Sequence, residues 1–351
     1  MMPVMSRTKI RPIRRVQVVL PSSRPLELAD LEAGMGWLRA EGIEVSPPLD
    51  RSEHRLAFLA GPDRARAQEL AGALADPAID LVWCGRGGSG SLRTLQALEE
   101  VGRRLAAGWR QTTPGLLTGG RLPEHYRPLA EPARRQIPLV GLSDATALLL
   151  ARQRHAPPGV AIHGPVITQL PRLDPASAEA LRVWLRYPEQ LPVLRADGGE
   201  TLVSGRAEGR LVAGNLSLLA ACAGTPEALR ADGAILLVED VGEPAYRLDR
   251  LFAQLWRGGA LRGLAGLAFG TWVDCEPAAA VRDCLVDWAT TLGVPCCLGL
   301  PVGHGAACQP VALGLRYGLH ADEGILAPLQ TLSNWLSSTA VVASPRVAGK
   351  S

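Results

Sequence analysis

Short apolar runs separated by amphipathic stretches set the rhythm of this chain. Val16-Gln-Val-Val-Leu20, Ile43-Glu-Val-Ser46 and Asp80-Leu-Val-Trp-Cys84 have strand length and strand composition. Leu26–Glu41, Asp63–Ala75 and Ser91–Leu105 place apolar residues at helical spacing. Strands alternating with helices in this way predict a parallel, doubly wound sheet. The rhythm breaks at 108–136, rich in Gly, Pro, Arg and Thr, which reads as an inserted surface excursion. It resumes at Ile137-Pro-Leu-Val-Gly141, an apolar strand followed by Leu142, Ser143 and at once by a helix. The residues 155–171 look irregular, and Ala176–Tyr187 is helical.

The interval 188–208 carries turn residues and little periodicity, so the domain boundary is expected there. A second, smaller α/β domain follows over 209–334. Its expected strands are Gly209–Gly214, Ala234–Glu239, Leu264–Gly270, Val294–Leu300 and Val311–Leu319, and its helices Asn215–Ala223, Tyr246–Trp256 and Ala278–Leu292. The first domain is then 16–187, preceded by a basic lead over 1–15 and matched at the other end by a frayed, Ser- and Ala-rich tail over 335–351.

Composition narrows the function classes. The 351 residues are 47% hydrophobic and 20% charged, which suits a globular protein of one large or two ordinary domains. Lys plus Arg number 37 against 34 acids, with the arginines dispersed, and aromatics are only 4%. Neither the electrostatic footprint nor the stacking platform of a nucleic-acid binder is present. Charges or prolines interrupt every apolar run before membrane-spanning length, and the N-terminal charges have no apolar stretch behind them, so neither a membrane span nor a secretory signal is expected. The 7 cysteines lack zinc-like spacing and sit among apolar neighbours, which predicts buried thiols, no metal and a cytoplasmic setting.

Three features could carry chemistry. Ser143, on a strand-to-helix turn, is placed either as a nucleophile or as a helix N-cap. Gly85-Arg-Gly-Gly-Ser-Gly90 matches the dinucleotide fingerprint, but it follows the third strand and lacks the acid expected about 20 residues on. The same glycines could instead bring bare N–H groups to a reacting carbonyl, as an oxyanion hole does. Glu239 closes an apolar strand at the end where α/β folds build their sites, and an acid there needs a partner. Asp240 and Glu243 have a simpler reading as charges at a helix N-terminus. Of the six histidines, His54, His125, His155 and His320 read as solvated or structural, which leaves His163 and His304 as candidates for a base.

Taken in order, Arg86-Gly-Gly-Ser-Gly90, Gly141-Leu-Ser-Asp-Ala-Thr146, His163-Gly-Pro165, Gly214-Asn-Leu-Ser217, Gly224-Thr-Pro226, Leu237-Val-Glu-Asp-Val-Gly-Glu-Pro-Ala-Tyr-Arg-Leu-Asp-Arg250 and Gly303-His-Gly305 resemble the motifs of the LD-carboxypeptidase family of serine peptidases. That family includes murein tetrapeptide carboxypeptidases and microcin C self-immunity peptidases. The resemblance implies a triad of Ser143, His304 and Glu239 split between the two domains, with the active site at their interface and no cofactor. It also implies the N–H groups of Gly88 and Asp144 as oxyanion donors, Arg86 and Asn215 near the polar ends of a small peptide substrate, and a homodimer. The run Glu243–Arg250 is closer to the murein branch, which makes release of D-alanine during peptidoglycan recycling the leading expectation and an aminoacyl- or peptidyl-nucleotide substrate the alternative. A nucleotide-binding module using Gly85–Gly90 is the expectation from a different class. Ser89 stands where the family commonly has an aromatic residue.

Overall fold

A computed structural model of the chain describes residues 12–49, 55–100, 137–154 and 160–334. The lead up to residue 11, the excursion at 108–136, the tail from 335, and His54, His125 and His155 lie outside the described residues.

Strands β1 (Arg15–Val19), β2 (Glu44–Ser46), β3 (Leu81–Cys84), β4 (Leu139–Gly141) and β5 (Ala161–His163) pair in parallel in the spatial order β5-β4-β3-β1-β2. Helices α1 (Leu28–Ala40), α2 (Asp63–Ala75), α3 (91–100) and α4 (Thr146–Gln153) belong to the same unit. Every residue of β3 and β4 is buried, as expected of strands covered on both faces. This is a doubly wound sheet whose order reverses between β1 and β3. The loops leaving the carboxyl ends of those two strands meet there. Ser23 N donates to Gly87 O at 3.2 Å, and the Ser22 and Ser91 hydroxyls lie 2.8 Å apart.

After α5 (Pro175–Arg186), a second sheet takes β6 (Leu194–Arg195), β7 (Glu200–Val203), β8 (Arg206–Asn215), β9 (Ala234–Val241), β10 (Gly266–Val273), β11 (Cys296–Leu298), β13 (Arg316–His320) and β14 (Ile325–Pro328), in the order β6-β14-β13-β8-β9-β10-β11-β7. Its middle strands β8, β9, β10 and β11 run parallel, and the flanking pairs are antiparallel. Helices α6 (Leu216–Ala221), α7 (Ala245–Arg257) and α8 (Ala278–Leu292) accompany it.

Two expectations need correction. The single strand expected over Val311–Leu319 is two strands in two sheets. Val311–Ala312, β12, pairs antiparallel with β5 at the edge of the first sheet, and β13 pairs with β8 in the second. A turn at Leu313 and Gly314 (φ +82°) moves the chain between them, with Leu313 N donating to Ala161 O and Gly314 N to Leu211 O. An apolar run carries no mark of which sheet it joins. The interval 188–208, expected to be a linker, contributes β6, β7 and the start of β8 to the second sheet. β6 and β7 are short edge strands, and β7 is not fully buried at any position, so an alternating apolar signal has no cause to appear.

Candidate active site

β4 ends at Gly141, Leu142 is extended, and Ser143 then adopts φ +62°, a left-handed conformation that costs a residue with a side chain about 1–3 kcal/mol. A 3-10 turn at Ser143–Ala145 leads into α4. Ser143 is not an N-cap. Leu142 and Ala145 occupy the cap positions of the turn and the helix, and no side chain makes a capping bond at either. A strained serine on a sharp strand-to-helix turn is instead the geometry that lifts a hydroxyl above a sheet edge.

The glycine loop that follows β3 packs directly on this turn. A Cβ built on Gly87 would lie 2.7 Å from Ser143 Cβ and 3.0 Å from its Oγ, so only glycine allows the approach. The Asp144 carboxylate accepts from Ser91 N at 2.7 Å, holding the N-terminus of α3 and the end of the glycine loop against the serine turn. Ser89 N donates to Ser23 Oγ at 3.0 Å. Fully buried Arg66 completes the frame, donating to Pro21 O, Gly61 O, Gly90 O and Thr94 Oγ1. The Gly88 N–H donates to no acceptor among the described residues. Arg86, half-buried on the loop, donates to Arg24 O at 2.7 Å and pairs with no carboxylate among the described residues.

The second sheet brings its strand ends to the same place. Asn215, last residue of β8, donates its backbone N–H to Thr146 Oγ1 at 3.1 Å, which joins the two domains immediately behind Ser143. The Asn215 side chain, on the strand register opposite Glu239, has structural bonds of its own. It is 2% exposed, donates from Nδ2 to Asp240 Oδ1 at 2.7 Å, and accepts from Leu218 N at 3.2 Å as the N-cap of α6. Asp240 likewise serves α6 rather than the following helix, accepting from both N and Oγ of Ser217. Glu243 pairs with Arg247 at 3.0 Å. The Thr146 hydroxyl and the Asp144 carboxylate are structural ties that local sequence does not signal, because each bonds a residue far away in the chain.

Glu239 is fully buried, and its Oε2 stands 2.6 Å from His304 Nδ1. The partner that an acid ending a core strand requires is therefore a histidine from the loop after β11. With Glu239 ionised, Nδ1 carries the proton and donates, leaving Nε2 as the ring's acceptor. Gly303 lets the loop close. Its φ is +138°, and an added Cβ would fall 2.8 Å from Glu239 Oε2. Burial pushes the Glu239 carboxyl up, an effect opposed by His304 and reinforced by Asp240 next to it. Burial alone would pull His304 down, but the charge and hydrogen bond of Glu239 raise it above its ordinary value.

His163 ends β5, paired with Gly141 and Val311, and is fully buried. Neither ring nitrogen has a hydrogen-bond partner among the described residues, and burial, aided by nearby His304, lowers its pKa to about 3. Of the two candidate histidines, only His304 joins an acid to a partly open ring. His320 closes β13 with Nδ1 3.6 Å from Glu323. All seven cysteines are free, and no cluster among the described residues could hold a metal ion. No helix among them is long and apolar enough to cross a membrane.

The site can thus be described as a strained serine under a glycine loop, at the boundary with an acid–histidine pair. Family models for the LD-carboxypeptidase N-terminal and C-terminal domains match residues 16–107 and 208–319. The murein tetrapeptide carboxypeptidase of Pseudomonas aeruginosa is 35% identical over 309 residues, which cover 83% of this chain and 88% of that protein. The muramoyltetrapeptide carboxypeptidase of Oxalobacter formigenes superposes with TM-score 0.68 at 23% identity, over 89% of this chain and 97% of the other. The microcin C7 self-immunity protein MccF superposes with TM-score 0.70 at 19% identity, over 92% and 98%. At these identities the two structures establish a shared fold. The two domain matches and the Pseudomonas relative establish more: this chain belongs to the LD-carboxypeptidase family.

Proposed function

We propose that the chain is a serine-type carboxypeptidase that hydrolyses the L,D-peptide bond to the terminal D-alanine of a murein tetrapeptide. The carrying observation is the 2.6 Å pair of His304 Nδ1 and buried Glu239 Oε2, set at the domain boundary served by the strained Ser143 turn. In this reading Ser143 Oγ attacks the scissile carbonyl carbon while its proton passes to His304 Nε2. Glu239 holds the imidazole in the Nδ1–H tautomer and stabilises it once charged. The N–H groups of Gly88 and Asp144 receive the oxyanion, which fits an N–H at Gly88 with no acceptor among the described residues. Collapse breaks the C–N bond, and His304 returns the proton to the departing amine, releasing D-alanine. Water then attacks the acyl-enzyme, gives its proton to His304, and Ser143 leaves with that proton. No metal or cofactor has a step in this scheme.

A carboxypeptidase has to recognise a free terminal carboxylate. Arg86 suits that task, as a guanidinium carried by the glycine loop next to Gly87, with no acid partner among the described residues. Asn215 lies near the polar end of the substrate in this reading and is held there by its bonds to Asp240 and to the N-terminus of α6. The murein substrate draws its support from the Pseudomonas relative, a murein tetrapeptide carboxypeptidase. A cytoplasmic setting, recycling of peptidoglycan fragments and a homodimer belong to the same proposal.

The test is release of D-alanine by purified protein from murein tetrapeptide, with an aminoacyl sulfamoyl nucleoside as the competing substrate. D-Alanine release abolished by Ser143→Ala supports the reading. Cleavage of the nucleoside derivative without D-alanine release replaces the substrate and keeps the mechanism. Undiminished hydrolysis by Ser143→Ala overturns the mechanism.

A further inference from the structure

The segment after β5, irregular by sequence, holds a short 3-10 helix at Ile167–Arg172 from which three parts of the site are suspended. Gly164 N donates to Gly141 O at 3.1 Å, tying the segment to the strand end that leads into Ser143. Thr168 N donates to Gly85 O at 3.1 Å, where the glycine loop begins. Asp174 N donates to Ala306 O at 3.0 Å, just beyond His304. Between these backbone ties lies one side chain. The Gln169 carboxamide, 7% exposed, donates from Nε2 to Gly303 O at 2.9 Å and to Gly305 O at 2.8 Å.

Both protons of one amide group therefore go to the carbonyls on either side of His304. That placement has a mechanical reason. A histidine bracketed by glycines sits on backbone with unusual conformational freedom, and Gly303 occupies φ +138°. Glu239 restrains only the ring, through Nδ1. Nothing in that bond prevents the loop and the ring from shifting together relative to Ser143, which belongs to the other domain. Asp174 holds the loop beyond His304, at Ala306, and Gln169 adds the restraint closest to it, because it belongs to the domain that carries Ser143 and grips the carbonyls of both glycines flanking His304. A neutral donor is required: a carboxylate would face two carbonyl oxygens, and an apolar side chain would leave both without their donor.

We infer that Gln169 is a positioning residue that fixes the His304 backbone relative to Ser143. The inference rests on the proposed roles of Ser143, His304 and Glu239. Gln169 touches neither ring nor substrate in this role, so its loss should affect the chemical step more than binding. Misplacing a catalytic group by about 1 Å costs on the order of a hundredfold.

The test uses the full chain with Gln169→Met, Gln169→Asn and His304→Ala. Gln169→Asn keeps a buried amide that is too short to reach both carbonyls, and so guards against loss of the fold in Gln169→Met. On murein tetrapeptide we expect kcat to fall about 10–100-fold with KM changed less than about threefold. In the same samples, the far-downfield proton resonance of the His304–Glu239 bond should weaken or shift. A residue that merely satisfied two carbonyls would lower the melting temperature and leave kcat and this resonance unmoved. Parent-like kcat in folded Gln169 variants, with His304→Ala inactive, overturns this inference alone. Activity retained by His304→Ala overturns the triad reading and this inference with it.

Discussion

Replacing Glu239 by Gln keeps the shape of a fully buried side chain while removing its charge. Two consequences of opposite sign follow. At mildly alkaline pH the parent holds a carboxylate that burial disfavours, which is why its pKa is raised. A carboxyl whose folded value exceeds its unfolded value lowers stability as pH rises between the two, so removing the charge should help the fold above that window. The 2.6 Å bond to His304 offsets part of the burden, leaving an expected small rise in Tm at alkaline pH. Catalysis should move the other way. The amide can donate to Nδ1 and favour the wrong tautomer, and it no longer stabilises a charged imidazole, which by analogy with other triads removes on the order of 10⁴ from kcat. The parent's acid limb in kcat/KM should lie above the ordinary imidazole value, because His304 must be neutral to accept a proton and Glu239 raises it. In Glu239→Gln, burial opposes only Asp240, so the residual activity should extend to lower pH. D-Alanine release across pH and thermal melts of the same samples check all three signs. Retention of kcat within about threefold, or a large fall in Tm accompanying the loss, would refute the reasoning by making the carboxylate dispensable or merely structural.

Three further perturbations separate the parts of the site. Ser143→Gly should abolish hydrolysis and raise stability by about 1 kcal/mol, since glycine adopts φ +62° without strain; denaturant melts compared with those of Ser143→Ala read the difference. Gly87→Ala introduces a methyl group 2.7 Å from Ser143 Cβ, so the loop or the serine must shift, and kcat should drop on the order of a hundredfold with a native circular dichroism spectrum; unchanged kcat would show that the loop yields freely. Arg86→Gln should raise KM about tenfold or more for a peptide with a free terminal carboxylate and leave a carboxamide-terminated analogue unaffected, and equal effects on both would remove Arg86 from carboxylate recognition.

Much of this molecule was open to local reading. Strand and helix periods are properties of neighbouring residues, so the alternation through β1, α1, β2, α2 and β3 and the parallel sheet it builds were legible. So was the exceptional character of Glu239, because an acid at the end of five apolar residues, Ala234 to Val238, conflicts with its surroundings unless something answers it. Ser143 was visible as a turn residue that local pattern left between cap and nucleophile; the motif resemblance favoured the nucleophile, and its backbone angle and the lack of a side-chain capping bond argue against the cap. Between His163 and His304 local reading stayed open and only the motif resemblance pointed to His304, since both histidines precede a glycine; the structure adds that they differ in what surrounds the ring.

Sequence by itself determined most of the elements, the α/β class and the residue types available for hydrolysis, but not the edge strands β6 and β7. Tertiary structure alone decided which of those residues meet. His304 and Glu239 are 65 positions apart, Asp144 and Ser91 53 apart, and Gln169 and Gly303 134 apart. The return of Val311–Ala312 to the first sheet belongs to the same class. Periodicity records which face of an element is buried, whereas the partner of a buried polar group is set by how separate elements pack. That is why the acid of the site could be recognised from its own strand, and the loop that answers it could be held in place by a glutamine no local pattern distinguishes.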